Sequence, residues 1–161
     1  MTLAQCDQLT EFIVSLPRPV ERTPVDMAVH RRAAAGKSLF GRIGCATCHV
    51  PDVGQVRGLY SDLLLHDMGQ DLEGGGNYAD QPLDEPAFES GAGPFPAEWR
   101  TPPLWGVARS APYLHDGRAA TLDGAVRRHG GQGARSARDY ADLTVEEQAQ
   151  VLAFLMTLDT P

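Results

Sequence analysis

Lysine occurs once in these 161 residues, at position 37, and the formal charge is −7 from 14 basic and 21 acidic side chains. There is no basic patch to neutralise phosphates, which excludes nucleic acid as a partner. No run of about 18 apolar residues is present, so no membrane span is expected. The first residues, Met1-Thr2-Leu3-Ala4-Gln5-Cys6, have neither a positive segment nor an apolar one, so they do not read as an export signal. Cysteine is scarce too. The three cysteines are a lone Cys6 and the pair Cys45 and Cys48, which leaves no second pair for a zinc finger.

What the chain does have is Cys45-Ala46-Thr47-Cys48-His49. Two thiols spaced by two residues and followed at once by His form the attachment signature of a c-type haem. The cysteines add to the two haem vinyl groups as thioethers, and the short turn brings His49 to the iron as proximal ligand. A thioredoxin-like dithiol would need a βαβ context that the flanks lack. A plain disulfide would leave His49 without a role. Because covalent haem is installed outside the cytoplasm, the expected location is the periplasm. The sequence then reads as the carboxy-terminal part of something longer, whose export signal lies elsewhere.

Around the motif the pattern is mostly helical. Leu3, Leu9, Phe12, Ile13 and Leu16 form a helical stripe that stops at Pro17-Arg18-Pro19. Residues 1–24 are therefore expected to be a trailing helix and Pro-rich linker from a preceding domain, and 25–161 the haem domain. Residues 25–43 read as an amphipathic helix whose apolar end (Leu39, Phe40, Ile43) abuts the motif, with His30 at its surface. Thr144-Val145-Glu146-Glu147 is a capping box opening a last helix to about residue 159, which should cross the 25–43 helix. Residues 50–98 are irregular and rich in Gly and Pro. Within them Tyr60 to Gly69 (YSDLLLHDMG) is the ordered-looking piece, where Met68 and His66 are either iron ligands or packing against the haem.

Glu98 to Gly106 (EWRTPPLWG) and Ser110 to Arg118 (SAPYLHDGR) suit a wall around a flat apolar cofactor, with Trp105 and Tyr113 offering large faces. Arg100 and Arg118 have the geometry to pair with haem propionates. Thr121 caps a short helix over 122–129 that delivers His129 just before Gly130-Gly131. His129 is the most natural candidate for the sixth ligand.

These blocks together resemble the carboxy-terminal haem domain of the di-haem oxidoreductases, a family labelled thiol oxidoreductases or peroxidases and related to bacterial di-haem cytochrome c peroxidase and to MauG. The resemblance implies an all-α, cytochrome c-like domain with a long irregular loop region around one covalent haem c. In the relatives the electron-transfer haem takes its distal ligand, a Met or a Tyr, from the helix where His129 falls here. The resemblance thus implies bis-His ligation by His49 and His129. The family's peroxidatic haem belongs to an amino-terminal domain with its own motif, and this sequence has one motif only. Electron transfer, to a redox partner protein or to such an amino-terminal haem domain, is the expected function. The alternative is a peroxidase-type enzyme whose distal ligand dissociates on reduction. A haem-free dithiol protein is the third reading.

Overall fold

A computed structural model describes residues 1–16, 20–74 and 97–159. The Pro17-Arg18-Pro19 stop and the Gly91-Ala92-Gly93-Pro94 run of the long loop lie outside the described residues. Helix α1 (Leu3–Ser15) opens on a capping box between Thr2 and Gln5, and none of its residues is buried. Helix α2 (Met27–Arg42) starts at Asp26, whose carboxylate accepts from the amides of Ala28 and Val29. Helix α5 (Val145–Leu155) starts at the expected Thr144/Glu147 capping box. Both starts follow from a short polar side chain that satisfies orphan amides of the first turn.

The core forms where α2 crosses α5. Gly36 makes the crossing close, since a Cβ there would lie 1.8 Å from the Gln150 carbonyl oxygen. Leu39, Phe40 and Ile43 of α2 meet Val151, Phe154 and Leu155 of α5, with Tyr60, Tyr140 and Leu158 completing the cluster. The Phe40 and Phe154 rings meet edge to face at 5.3 Å, a favoured aromatic geometry. Each such buried side chain contributes roughly 1.5–3 kcal/mol of transfer free energy. Tyr140 is fully buried, and its hydroxyl donates to Asp123 at 2.8 Å, so its polar end is not orphaned. It comes from α4 (Ala134–Ala141), while Asp123 belongs to α3 (Leu122–Arg127).

Helices dominate, as the sequence suggests, but two short antiparallel pairs accompany them. Strand β1 (Val20–Glu21) pairs with β4 (Leu158–Asp159), and β2 (Leu65–Asp67) pairs with β3 (Glu98–Arg100). The first pair ties residues 20–21 to residues 158–159. The buried Asp159 carboxylate sits between Arg22 at 2.9 Å and Arg109 at 3.0 Å. Two guanidiniums there compensate the cost of removing the carboxylate from water. The expected last helix ends four residues short of 159, because Leu158 and Asp159 leave it to pair with β1.

Candidate functional site

The attachment turn is shaped by Gly44, whose φ of +86° lets the chain leave α2 and reverse. Cys45–Thr47 then forms a single 3-10 turn, and the His49 amide returns to the Cys45 carbonyl at 3.0 Å. This brings His49 under Phe40, with ring centres 6.2 Å apart. Burial pushes the His49 pKa down to about 4. The ring is therefore neutral near pH 7, the form in which imidazole binds metals. Burial likewise pushes the Cys45 thiol up to about 11.

His129 is delivered from the other side. Thr121 caps α3 by accepting from the Gly124 amide, and the helix ends at Arg127, two residues before His129. The two imidazoles are held alike. His49 Nδ1 donates to the Tyr60 carbonyl at 2.9 Å, and His129 Nδ1 donates to the Ala125 carbonyl at 2.9 Å. Since both acceptors are carbonyls, Nδ1 carries a proton in each ring, which leaves Nε2 as the nitrogen able to ligate a metal. Ligating histidines are oriented in this way. The ring centres stand 6.4 Å apart. A metal bonded to both rings at about 2.0–2.1 Å would set the centres about 6.3 Å apart, close to the separation found.

A glycine run packs the opposite wall. A Cβ on Gly130 would fall 2.4 Å from the Met68 carbonyl oxygen, and one on Gly131 would fall 2.2 Å from that of Asp67. At Gly133 it would meet Met68 Cε at 3.3 Å and the His129 ring at 3.4 Å. The Gly-Gly step after His129 therefore does more than end a helix. It lets the HDMG segment lie directly on the backbone beside the ligand candidate, and it places Met68 next to His129.

His66 was an alternative ligand in the sequence. Its Nε2 lies 2.8 Å from Asp62 Oδ2 and its Nδ1 lies 2.8 Å from Gln132 Oε1. Burial lowers its pKa, but the Asp62 and Gln132 hydrogen bonds more than offset that and raise it. Both nitrogens of His66 are thus engaged by oxygen atoms of Asp62 and Gln132. Its Nδ1 is also 3.9 Å from Cys48 Sγ. The Cys48, Asp62 and His66 donor atoms converge to within 4.8 Å of one another. Asp62 and Gln132 were not singled out in the sequence; Asp62 stands four residues before His66, but in irregular backbone where helical spacing gives no signal.

The other candidates are more dispersed. Arg118 lines a cavity of ≈ 490 Å³ together with Arg127, Arg128 and His129, and it is engaged by Asp116 and the Asp71 carbonyl. Arg100 instead pairs with Leu65 in the β2–β3 register, and both residues are exposed, on the face opposite to His66 and Trp99. Trp105 is half-buried, its indole N–H donating to the Gly58 carbonyl at 2.8 Å. Tyr113 bridges to Ala119 through its main chain. Trp99 and His115 stack with ring centres 3.7 Å apart and planes 11° apart.

The site is thus a turn carrying two thiols in a mainly helical domain, with two carbonyl-anchored imidazoles beside it whose ring centres are 6.4 Å apart. The chain belongs to the di-haem oxidoreductase family: the family described as "Di-haem oxidoreductase, putative peroxidase" matches residues 6–158. That membership makes haem redox chemistry the family's business. The chain is 31% identical over 105 residues to hydrazine synthase subunit gamma of Kuenenia stuttgartiensis, covering 54% of this chain and 30% of that protein. Among solved structures it resembles Kuenenia stuttgartiensis hydrazine synthase pressurised with xenon, with TM-score 0.60 and 20% identity over 98% of this chain and 56% of the other. A MauG-like protein associated with microbial copper homeostasis matches at TM-score 0.49 and 27% identity, over 81% and 47% of the two chains. The chain thus spans about half or less of the length of these relatives. Among the described residues no helix is long and apolar enough to cross a membrane.

Proposed function

We propose that the chain is a c-type electron-transfer domain holding one haem through Cys45 and Cys48, with His49 and His129 as the two axial ligands. The observation that carries this reading is the matched pair of imidazoles, each with Nδ1 fixed on a carbonyl and ring centres 6.4 Å apart. When bound, the haem supplies a one-electron couple, and two imidazoles favour a low-spin iron at lower potential than a His/Met pair. The protein's own part is to keep the buried His49 ring neutral and both rings oriented. It also lays the HDMG segment on the Gly130–Gly131 backbone that follows His129. Two axial imidazoles favour electron transfer over the peroxidase alternative, because they fill both positions and catalysis at a metal needs an open one.

The proposal extends to the surroundings. The partner is a redox protein or a second haem domain, the setting is the periplasm, and residues 1–24 form a trailing helix and linker ahead of the haem domain at 25–161. The exposed apolar face of α1, none of whose residues is buried, supports a separate leading helix, while Val20–Arg22 are joined to the haem domain through β4 and Asp159.

The test is the optical spectrum of protein exported together with haem-maturation machinery, taken in the native state and in alkaline pyridine. Low-spin bands and a thioether-haem spectrum that survives solvent extraction are expected. Protein that emerges folded and haem-free would overturn the reading and return Cys45 and Cys48 to dithiol or metal chemistry.

A further inference from the structure

The cavity beside His129 has a lining unlike the chain as a whole. Arg118, Arg127 and Arg128 line it together with Asp71, three basic residues to one acidic, in a chain whose formal charge is −7. Its volume of ≈ 490 Å³ falls within the range of small-ligand sites. His129 and Gly130 form part of the wall, and so does the buried Leu72.

Two of the three arginines are already neutralised. Arg118 donates to the Asp116 carboxylate and to the Asp71 carbonyl, and Arg127 donates to both carboxylate oxygens of Asp123 and to Gln148. Arg128 is different. Among the described residues its guanidinium has neither an ion pair nor a hydrogen bond, a state it shares with Arg31, Arg100 and Arg138. Of these, Arg128 is the one in the cavity wall. It caps the C-terminus of α3, where the helix dipole favours a cation. Arg127 in the last turn already serves that end, and the dipole does not account for a cavity. A guanidinium without a partner is a planar fork that fits a carboxylate in bidentate contact.

We propose that this cavity is a carboxylate-binding site with Arg128 as its charge partner, framed by Arg118 and Arg127 in their pairs with Asp116 and Asp123. The carboxylate has two sources. The haem brings its own carboxylate side chains, and His129, in the cavity wall, is the proposed distal ligand; this source rests on the proposed haem c. A free carboxylate small enough for the cavity is the other. Either one places a negative charge near the distal imidazole, which stabilises the oxidised iron over the reduced and lowers the midpoint potential. No bond forms or breaks and no electron moves in the binding itself.

The test compares wild-type holoprotein with Arg128→Gln, Arg128→Lys and Arg138→Gln. Arg128 is exposed, so its replacement leaves no buried gap, and Arg138 is an exposed arginine of α4 that serves as control. Resonance Raman spectra follow the bending band of the haem carboxylates. Redox titrations follow the midpoint potential as malonate replaces chloride at constant ionic strength. With haem carboxylates in the site, Arg128→Gln should shift the Raman band, Arg128→Lys should lie between, and malonate should act alike on all four proteins. With a free carboxylate there, the band should stay in place and malonate should lower the wild-type potential to a plateau. Arg128→Gln should then bind malonate at least about tenfold more weakly. A Raman band and a malonate response that are both the same in wild type and Arg128→Gln would overturn the proposal, as would equal effects from Arg138→Gln. Failure of the haem reading is separable: it appears before any titration, as folded wild-type protein without low-spin c-type bands. Calorimetry of that protein with malonate then reads the same dependence on Arg128, and equal heats from wild type and Arg128→Gln would overturn the site.

Discussion

His49, just after the Cys45–Thr47 turn, and His129, just after α3, carry the same tether. Each gives its Nδ1 proton to a main-chain carbonyl at 2.9 Å. The carbonyl partner of His49 is Tyr60, whose φ of +51° is unusual for a non-glycine residue. That backbone is held in turn by the Ser61 amide on the Val50 carbonyl and the Asp62 amide on the Cys48 carbonyl. The proximal ring is thus oriented by hydrogen bonds that begin and end within the attachment turn.

Removal of the distal ring should leave the haem attached and change only its spin state. His129→Ala is expected to give a high-spin spectrum at neutral pH, and added imidazole should restore the low-spin bands. A low-spin spectrum without imidazole would mean that Met68, which packs beside His129, has taken the position. His129→Met should stay low-spin and raise the midpoint potential, because a thioether ligand favours the reduced iron. Redox titration of the two holoproteins reads the sign.

The glycine wall predicts a steric result. Gly130→Ala would press a methyl group against the Met68 carbonyl, a main-chain atom that cannot rotate away. Overpacking of this kind costs about 1–3 kcal/mol. Thermal unfolding of the holoprotein should register the loss, together with weakened low-spin bands as the HDMG segment moves off His129.

Gly36→Ala tests the crossing of α2 and α5 at a point away from the site. Alanine is the better helix former by about 1 kcal/mol, yet here it should destabilise, since the added Cβ would meet the Gln150 carbonyl at 1.8 Å. A denaturant titration that shows a gain in stability would mean that the helices can separate without loss.

Acid should loosen the joint between α3 and α4. Hydrogen bonds from Arg127, with help from the Tyr140 hydroxyl, hold the Asp123 carboxyl below its ordinary 3.8. A lowered folded pKa means that the stabilisation is complete above about pH 4 and fades as pH falls through the folded value. The carboxylate is 40% exposed, so the effect is modest, below about 1 kcal/mol. Asp123→Asn should lose that amount at pH 7 and show a flatter acid limb below pH 4, measured by unfolding across the range.

Helices α2 and α5 were legible in the sequence to within a few residues because their caps and apolar spacing agree. The turn at Cys45–His49 and the end of α3 just before His129 were legible because a fixed motif spacing marks the one and a glycine step marks the other. The β2–β3 ribbon was not, since three-residue strands are too short to show an alternation. With it went the placement of Arg100, whose neighbour Trp99 takes the inward face and leaves the arginine in solvent. Gly130 and Gly131 were visible but read only as a stop, because a close main-chain approach from residues sixty positions earlier in the chain leaves no local mark. The clamp on His66 was hidden for the same reason.

The clasp at Asp159 orders events during synthesis. Arg22, Arg109 and the α2 face of the core all wait for partners in the last fifteen or so residues of the described chain, and long loop closures of this kind come late in folding. Until then Cys45 and Cys48 stand in an open chain, with thiols that ionise at ordinary values. Once the core closes, Cys45 is pushed up to about 11 and shielded by α4. On the proposed haem assignment, joining at Cys45 is therefore expected in the open chain, before α5 closes the core over that thiol.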